Sequence, residues 1–175
     1  MNNGFKIIII KNHDYHDKSA SYPYHKILNK KHHIMQETKY LHSETTELII
    51  KAYYKVYNTL GYGFLEKVYE KAMMIELKKL GLACSNQQKI EVFYEGENVG
   101  DYYADIFVEN KVIVELKAVD EIIEEHEAQL LNYLRATTFE VGLLLNFGHE
   151  PQIKKRAFSN RYKKSLMKNN NTDLS

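Results

Sequence analysis

Two acids and an amine, Asp105, Glu115 and Lys117, are the residues whose types and spacing best suit a chemical task. Asp105 falls in an apolar stretch from about Tyr102 to Val108, and Glu115 and Lys117 fall in a second from Val112 to Ala118. If both stretches are strands, alternation puts Tyr103, Asp105 and Phe107 on one face of the first, and Ile113, Glu115 and Lys117 on one face of the second. Joined by a short turn at Glu109 and Asn110, the pair is expected to be antiparallel, so the two carboxylates can converge. Two carboxylates held together repel, and a divalent cation offsets that repulsion while supplying the charge that phosphodiester hydrolysis needs. Mg²⁺, or Mn²⁺ in its place, suits such oxygen ligands and keeps waters, one of which can attack. Lys117 would orient or deprotonate that water, or neutralise charge building on the phosphate. An acid, one residue and a lysine in a strand is also an ordinary way to keep a surface strand soluble, so the elements around the triplet matter.

Those elements read as a regular series. A helix is expected from Ser43 or Thr45, with Leu48, Ile49, Ala52, Tyr53, Val56, Tyr57 and Leu60 on one face and Gly61 as its stop. A second helix runs from about Phe64 to Leu80, with Leu65, Val68, Tyr69, Ala72, Met73, Leu77 and Leu80 at helical spacing. Alternation around Ile90, Val92 and Tyr94 marks a strand, and residues 95–98 a turn. The two stretches carrying the acids follow and complete a three-strand antiparallel meander. A third helix is expected from about Ile123 to Ala136, with Ala128, Leu131 and Leu134 inward, and Val141 to Asn146 is apolar enough for a strand covered on both faces. The expected order is helix, helix, three strands, helix, strand, an α/β (α+β) domain.

With this context in place, the chain resembles the GxxExxY proteins, a group placed in the PD-(D/E)xK nuclease superfamily. Gly63, Glu66 and Tyr69 carry the signature. The likeness continues through Tyr103, Ala104 and Asp105, Ile113 to Ala118, His126 to Leu131 with Tyr133 and Leu134, and Leu143 to Gly148, covering roughly residues 44 to 158 in order. It implies a restriction-endonuclease-like core, a helix, a three-strand meander, a helix and a strand, with an extra N-terminal helix. By position it implies Asp105, Glu115 and Lys117 as catalytic and Glu66, Asp105 and Glu115 as metal-binding, with Tyr69, Gln129 and Tyr133 touching substrate or supporting the site. Without the resemblance, Glu66 reads equally as a solvated helix residue, and Gln129 and Tyr133, four apart on one helix face, as a hydrogen bond within the core. His126 is a weaker candidate. Tyr62 departs from the proline that often precedes the family's glycine, which concerns the turn more than the chemistry.

The function implied is a Mg²⁺- or Mn²⁺-dependent nuclease that hydrolyses phosphodiester bonds in nucleic acid, DNA in preference, through a metal-activated water. The alternative is a nuclease-fold module that binds DNA or a protein without cleaving, and a homodimer using the aromatic helix face is a further possibility.

Composition neither demands nor forbids this reading. The chain has 175 residues, 44% of them hydrophobic, enough for one domain with extensions. The single cysteine, Cys84, excludes an internal disulfide. Residues 1–43 hold 7 lysines against 3 acids and six of the eight histidines, and are expected to form a basic, poorly ordered arm. His13 and His16, or His32 and His33, have metal-ligand spacing there, without an element to aim them. Residues 159–175 read as a basic flexible tail. Residues 44–158, by contrast, hold 13 basic and 19 acidic residues, so overall charge gives no argument for nucleic acid, while an acidic centre suits a cation. The apolar block Ile7 to Ile10 is far shorter than the roughly 20 residues a membrane span needs, and no cleavage pattern follows it, so the cytoplasm is the expected compartment.

Overall fold

The computed structural model describes residues 5–9, 41–95, 97–161 and 163. Six strands and three helices follow in the order β1 (Phe5–Ile9), α1 (Ser43–Leu60), α2 (Glu66–Lys79), β2 (Cys84–Tyr94), β3 (Glu97–Val108), β4 (Val112–Lys117), α3 (Glu124–Ala136), β5 (Val141–Asn146) and β6 (Gln152–Ala157). The strands form one sheet in sequence order. β2, β3 and β4 are the antiparallel meander, β5 lies parallel to β4 after the α3 crossover, and β6 returns antiparallel along β5. This is the mixed α+β architecture of the restriction-endonuclease-like fold expected from the sequence. Among the described residues no helix is long and apolar enough to cross a membrane.

The sheet is covered on both sides. α1 and α2 pack on one face, where Ile49, Tyr53, Tyr69, Met73 and Leu77 meet Ile106, Val114, Leu116, Leu143 and Leu145. α3 covers the other, with Leu130, Tyr133 and Leu134 against Phe107, Ile113 and Leu144. β5, lying between the two layers, is buried at every position, which is why its sequence shows no polar alternation.

Several expectations are refined. α1 starts at Ser43 after a left-handed His42 that makes no side-chain cap, so Ser43 and Thr45 do not cap it; the Thr46 hydroxyl instead donates to the Ser43 carbonyl. In α2 the buried stripe is Tyr69, Glu70, Met73 and Leu77, while Leu65 is 79% exposed and Val68 faces outward. In α3 the inward residues are Leu130, Tyr133, Leu134 and Ala136 rather than Ala128 and Leu131. β2 and β3 end where the alternation does but begin well before it, because paired backbone rather than burial holds their polar starts. β6 escaped notice since Lys154, Lys155 and Arg156 dilute its apolar signal, as suits an edge strand.

β1 pairs in parallel with β2, Phe5 opposite Ile90 and Ile9 opposite Tyr94, so this piece of the expected arm is a strand. The candidate histidines His13, His16, His32 and His33, the rest of residues 1–40 and residues 164–175 lie outside the described residues. Lys163, within the expected tail, is buried and donates through Nζ to the Thr137 and Phe139 carbonyls at the end of α3.

The chain after β4 is tied back to β5. Phe147 N donates to the Lys117 carbonyl, and the Asn146 side chain donates to Val119 O at 2.8 Å while accepting from Val119 N at 3.0 Å. Next to this latch, a Cβ on Gly148 would lie 1.9 Å from the Val119 carbonyl oxygen. Since that obstacle is backbone, Gly148→Ala must move the loop that leaves Lys117, and a loss of about 3 kcal/mol is expected. Urea unfolding measures it; a variant as stable as wild type would show that the loop yields easily.

Candidate active site

The faces of β2 and β3 exchange in the middle of the hairpin, and Asp105 sits at the exchange. On β3, Ile106 and Val108 face α1 and α2, but Ala104, two residues before Ile106, packs in the α3 layer. On β2, Asn86 reaches Glu70 of α2, whereas Ile90 and Val92 pack in the α3 layer. The irregularity centres on Gln87, which takes φ 51 and lies at the level of Asp105 between the paired rows Asn86 with Ile106 and Gln88 with Ala104. Simple alternation therefore fails here, and Tyr103, Asp105 and Phe107 do not share one face as expected.

β3 and β4 also part at this level. Their ladder has three paired rows, Ile106 with Val114, Phe107 with Ile113 and Val108 with Val112, and stops before Asp105 meets Glu115. The Asp105 carboxylate fills the gap, its Oδ2 accepting from Leu116 N at 2.7 Å. Glu115 is nearly fully buried, and its Oε1 accepts from Lys117 Nζ at 2.9 Å. The three side chains thus lie in one charged cluster at the point where the strands separate.

The electrostatics follow from that crowding. Burial, and then the nearby Asp105, push the Glu115 carboxyl up to about 7, with Lys117 pulling the other way. Asp105 is also raised, by burial first, against the Leu116 hydrogen bond and Lys117, with Glu66 and Glu70 adding repulsion. For Lys117, burial opposes the charged form, but Glu115, Glu66 and Asp105 outweigh it and hold the ammonium above its usual range. Neighbouring carboxylates that disfavour ionisation are the signature of a site wanting positive charge.

The donor set fits a hard divalent cation. Glu115 Oε2 is buried and has no hydrogen-bond partner, the one side-chain oxygen or nitrogen so placed among the described residues. A carboxylate oxygen left bare at such depth costs free energy unless something cationic meets it. No three His, Cys, Asp or Glu side chains among the described residues already converge as a closed ligand set. Asp105 lies near enough to Glu115 to raise its carboxyl, and Glu66 acts on both from the start of α2, its Oε1 accepting from Ala118 N at 3.3 Å.

The supporting candidates separate in their roles. Tyr69 is fully buried, stacked on Phe147 at 4.1 Å; its hydroxyl donates to Gly61 O and accepts from Phe64 N. It thereby holds the turn through Gly63, whose φ of 98 favours glycine, and so fixes where Glu66 begins the helix. That is a brace, with no surface left for substrate. Gln129 Nε2 donates to the Tyr133 hydroxyl at 2.6 Å, and Lys117 is held by Glu115 rather than by Gln129. Tyr133 is buried beside the acids, and burial followed by Glu115 raises its phenol to about 12. His126 accepts from Ile123 N through Nδ1 and completes the start of α3.

One acid was overlooked in the sequence. Glu70, one turn after Glu66, is buried, accepts from Asn86 Nδ2 at 2.6 Å and pairs with Lys67, tying α2 to the irregular part of β2 opposite Asp105. The available signal was its spacing, since residues four apart share a helix face.

Residues 43–157 match the sequence pattern of the PD-(D/E)XK nuclease superfamily. No curated protein matches the chain. Among solved structures, one described as "Crystal structure of SSO0001" is similar at 19% identity and a TM-score of 0.43, over 80% of this chain and 71% of that one.

Proposed function

Since the chain belongs to the PD-(D/E)XK nuclease superfamily, we propose that it is a divalent-metal-dependent nuclease hydrolysing phosphodiester bonds in DNA, with Asp105, Glu115 and Lys117 at its centre. The observation that carries this is the buried, unpartnered Oε2 of Glu115 beside Asp105 and within the reach of an ammonium. The spacing of Gly63, Glu66 and Tyr69, and the Tyr69 brace on the turn between them, support placing the chain with the GxxExxY group.

Asp105 and Glu115, completed by Glu66, would hold Mg²⁺ or Mn²⁺, which when bound supplies positive charge to the scissile phosphate and makes a neutral-pH nucleophile available from water. The chain's residues do the rest. The Leu116 amide fixes Oδ2 of Asp105 and leaves Oδ1 as the oxygen that would meet the cation. Glu115 holds the Lys117 ammonium at 2.9 Å, where it can orient water and meet negative charge developing on the phosphate. The Phe147 amide bonded to the Lys117 carbonyl keeps that residue's backbone in register with β5.

Labelled DNA and RNA incubated with the full chain test this directly. Cleavage of DNA in Mg²⁺ or Mn²⁺ that stops in EDTA is the expected result. Retarded migration of DNA without any cleavage, in either metal, would instead favour a binding module built on the same fold.

A further inference from the structure

The β2–β3 hairpin runs on past the end of β4. β4 pairs only with Ile106 to Val108, while β3 stays paired with β2 back to Glu97. Among the described residues, no strand pairs with the β4-facing edge of β3 ahead of Ile106. Tyr102 projects from this free stretch, three residues before Asp105, which at a strand rise of about 3.3 Å per residue puts it roughly 10 Å from that carboxylate. Its ring is half exposed yet not loose, for it lies tilted on Tyr133 with centroids 6.1 Å apart. Tyr133 in turn feels both Glu115 and Asp105. Phe64 and Leu65 stand exposed immediately before Glu66. Exposed rings thus stand just ahead of two of the carboxylates in the chain, Tyr102 before Asp105 and Phe64 before Glu66, and of the two only Tyr102 is joined to Tyr133.

Resting on the nuclease reading, we propose that the substrate of this site is single-stranded DNA, with a base stacked on Tyr102 and its phosphate carried toward Asp105 and Glu115. A ring face can stack only on a base whose own face is open, and in a duplex those faces are covered by neighbouring base pairs. The partner Tyr133 sets the angle of the platform: its position is fixed by burial and by Gln129, so Tyr102 is ordered before substrate arrives. Tyr102 acts by stacking, a property Phe shares and Ala does not.

The test uses the full chain and dye-labelled oligonucleotides, one single-stranded and one the blunt duplex of the same sequence, with fluorescence anisotropy read in Ca²⁺. The single strand is expected to bind at least about tenfold tighter than the duplex, Tyr102→Ala to lose roughly tenfold on the single strand alone, and Tyr102→Phe to keep wild-type affinity. Equal affinity for both forms, or an Ala variant that weakens both alike, overturns the proposal, as does a Tyr102-dependent dimer with no preference for the single strand. A single-strand preference lost in Tyr102→Ala but accompanied by no cleavage in Mg²⁺ or Mn²⁺ would keep the platform and remove the nuclease. Duplex cleavage indifferent to Tyr102 would do the reverse. Thermal unfolding of the Ala variant guards against a folding loss, and the Phe variant isolates the ring.

Discussion

Asp105→Asn is expected to lower the rate of DNA cleavage by about a thousandfold while leaving the fold in place. Asn is nearly the same shape, and its carbonyl can still accept from the Leu116 amide as Oδ2 does now. That orientation turns the amide NH₂ toward the site, presenting a donor where a cation needs an acceptor. Lys117→Ala is expected to cost about the same, for a different reason: it removes the ammonium from the phosphate's surroundings and takes from the Glu115 side chain the hydrogen bond at its Oε1. Initial rates at saturating metal, with urea unfolding as the control, make the measurement. If both variants keep activity within tenfold of wild type, the chemistry lies elsewhere.

Glu115→Gln is expected to stabilise the metal-free protein above neutral pH, although the same change should abolish cleavage. The Glu115 carboxyl is raised from 4.5 to about 7 by burial first and then by Asp105. Between those values the folded chain holds a proton that the unfolded chain releases, so stability falls as pH rises from about 4.5 to about 7. Below that window both states are protonated and the penalty is absent; above it the penalty is complete, on the order of 3 kcal/mol for a shift of this size. Gln carries no charge and removes the slope. Urea unfolding in EDTA from pH 5 to pH 8 should show the two proteins diverging as pH rises, with the variant the more stable. Adding Mn²⁺ at pH 8 should then favour wild type, by about 2.7 kcal/mol at a hundred times the dissociation constant. Parallel curves would mean that Glu115 is better solvated or better paired than the strand gap indicates.

The candidate residues were largely visible beforehand because each lies in an element with a clear period. Glu115 and Lys117 share a face of β4 as alternation requires, since β4 is short and buried on both sides. Gly63 and Tyr69 could be read as a pair from their spacing, but only the folded chain reveals that Tyr69 clamps Gly61 and Phe64. Tyr102 gave no sign at all. An exposed tyrosine in a strand is unremarkable until its ring is found on Tyr133, 31 residues later in the sequence.

Periodicity and turn chemistry, both local, suffice to set the helices, the meander and β5, because each depends on how one segment partitions between core and water. The convergence of Asp105 and Glu115 is not of that kind. Alternation proposed it for a reason that does not hold, an unbroken pair of strands. The acids meet instead because Gln87 takes a left-handed turn, the faces of β2 and β3 exchange, and β4 leaves the ladder so that a side chain takes the place of a backbone partner. A strand's own sequence records which residues avoid water, but where its neighbour stops pairing is decided by the layers packed above and below.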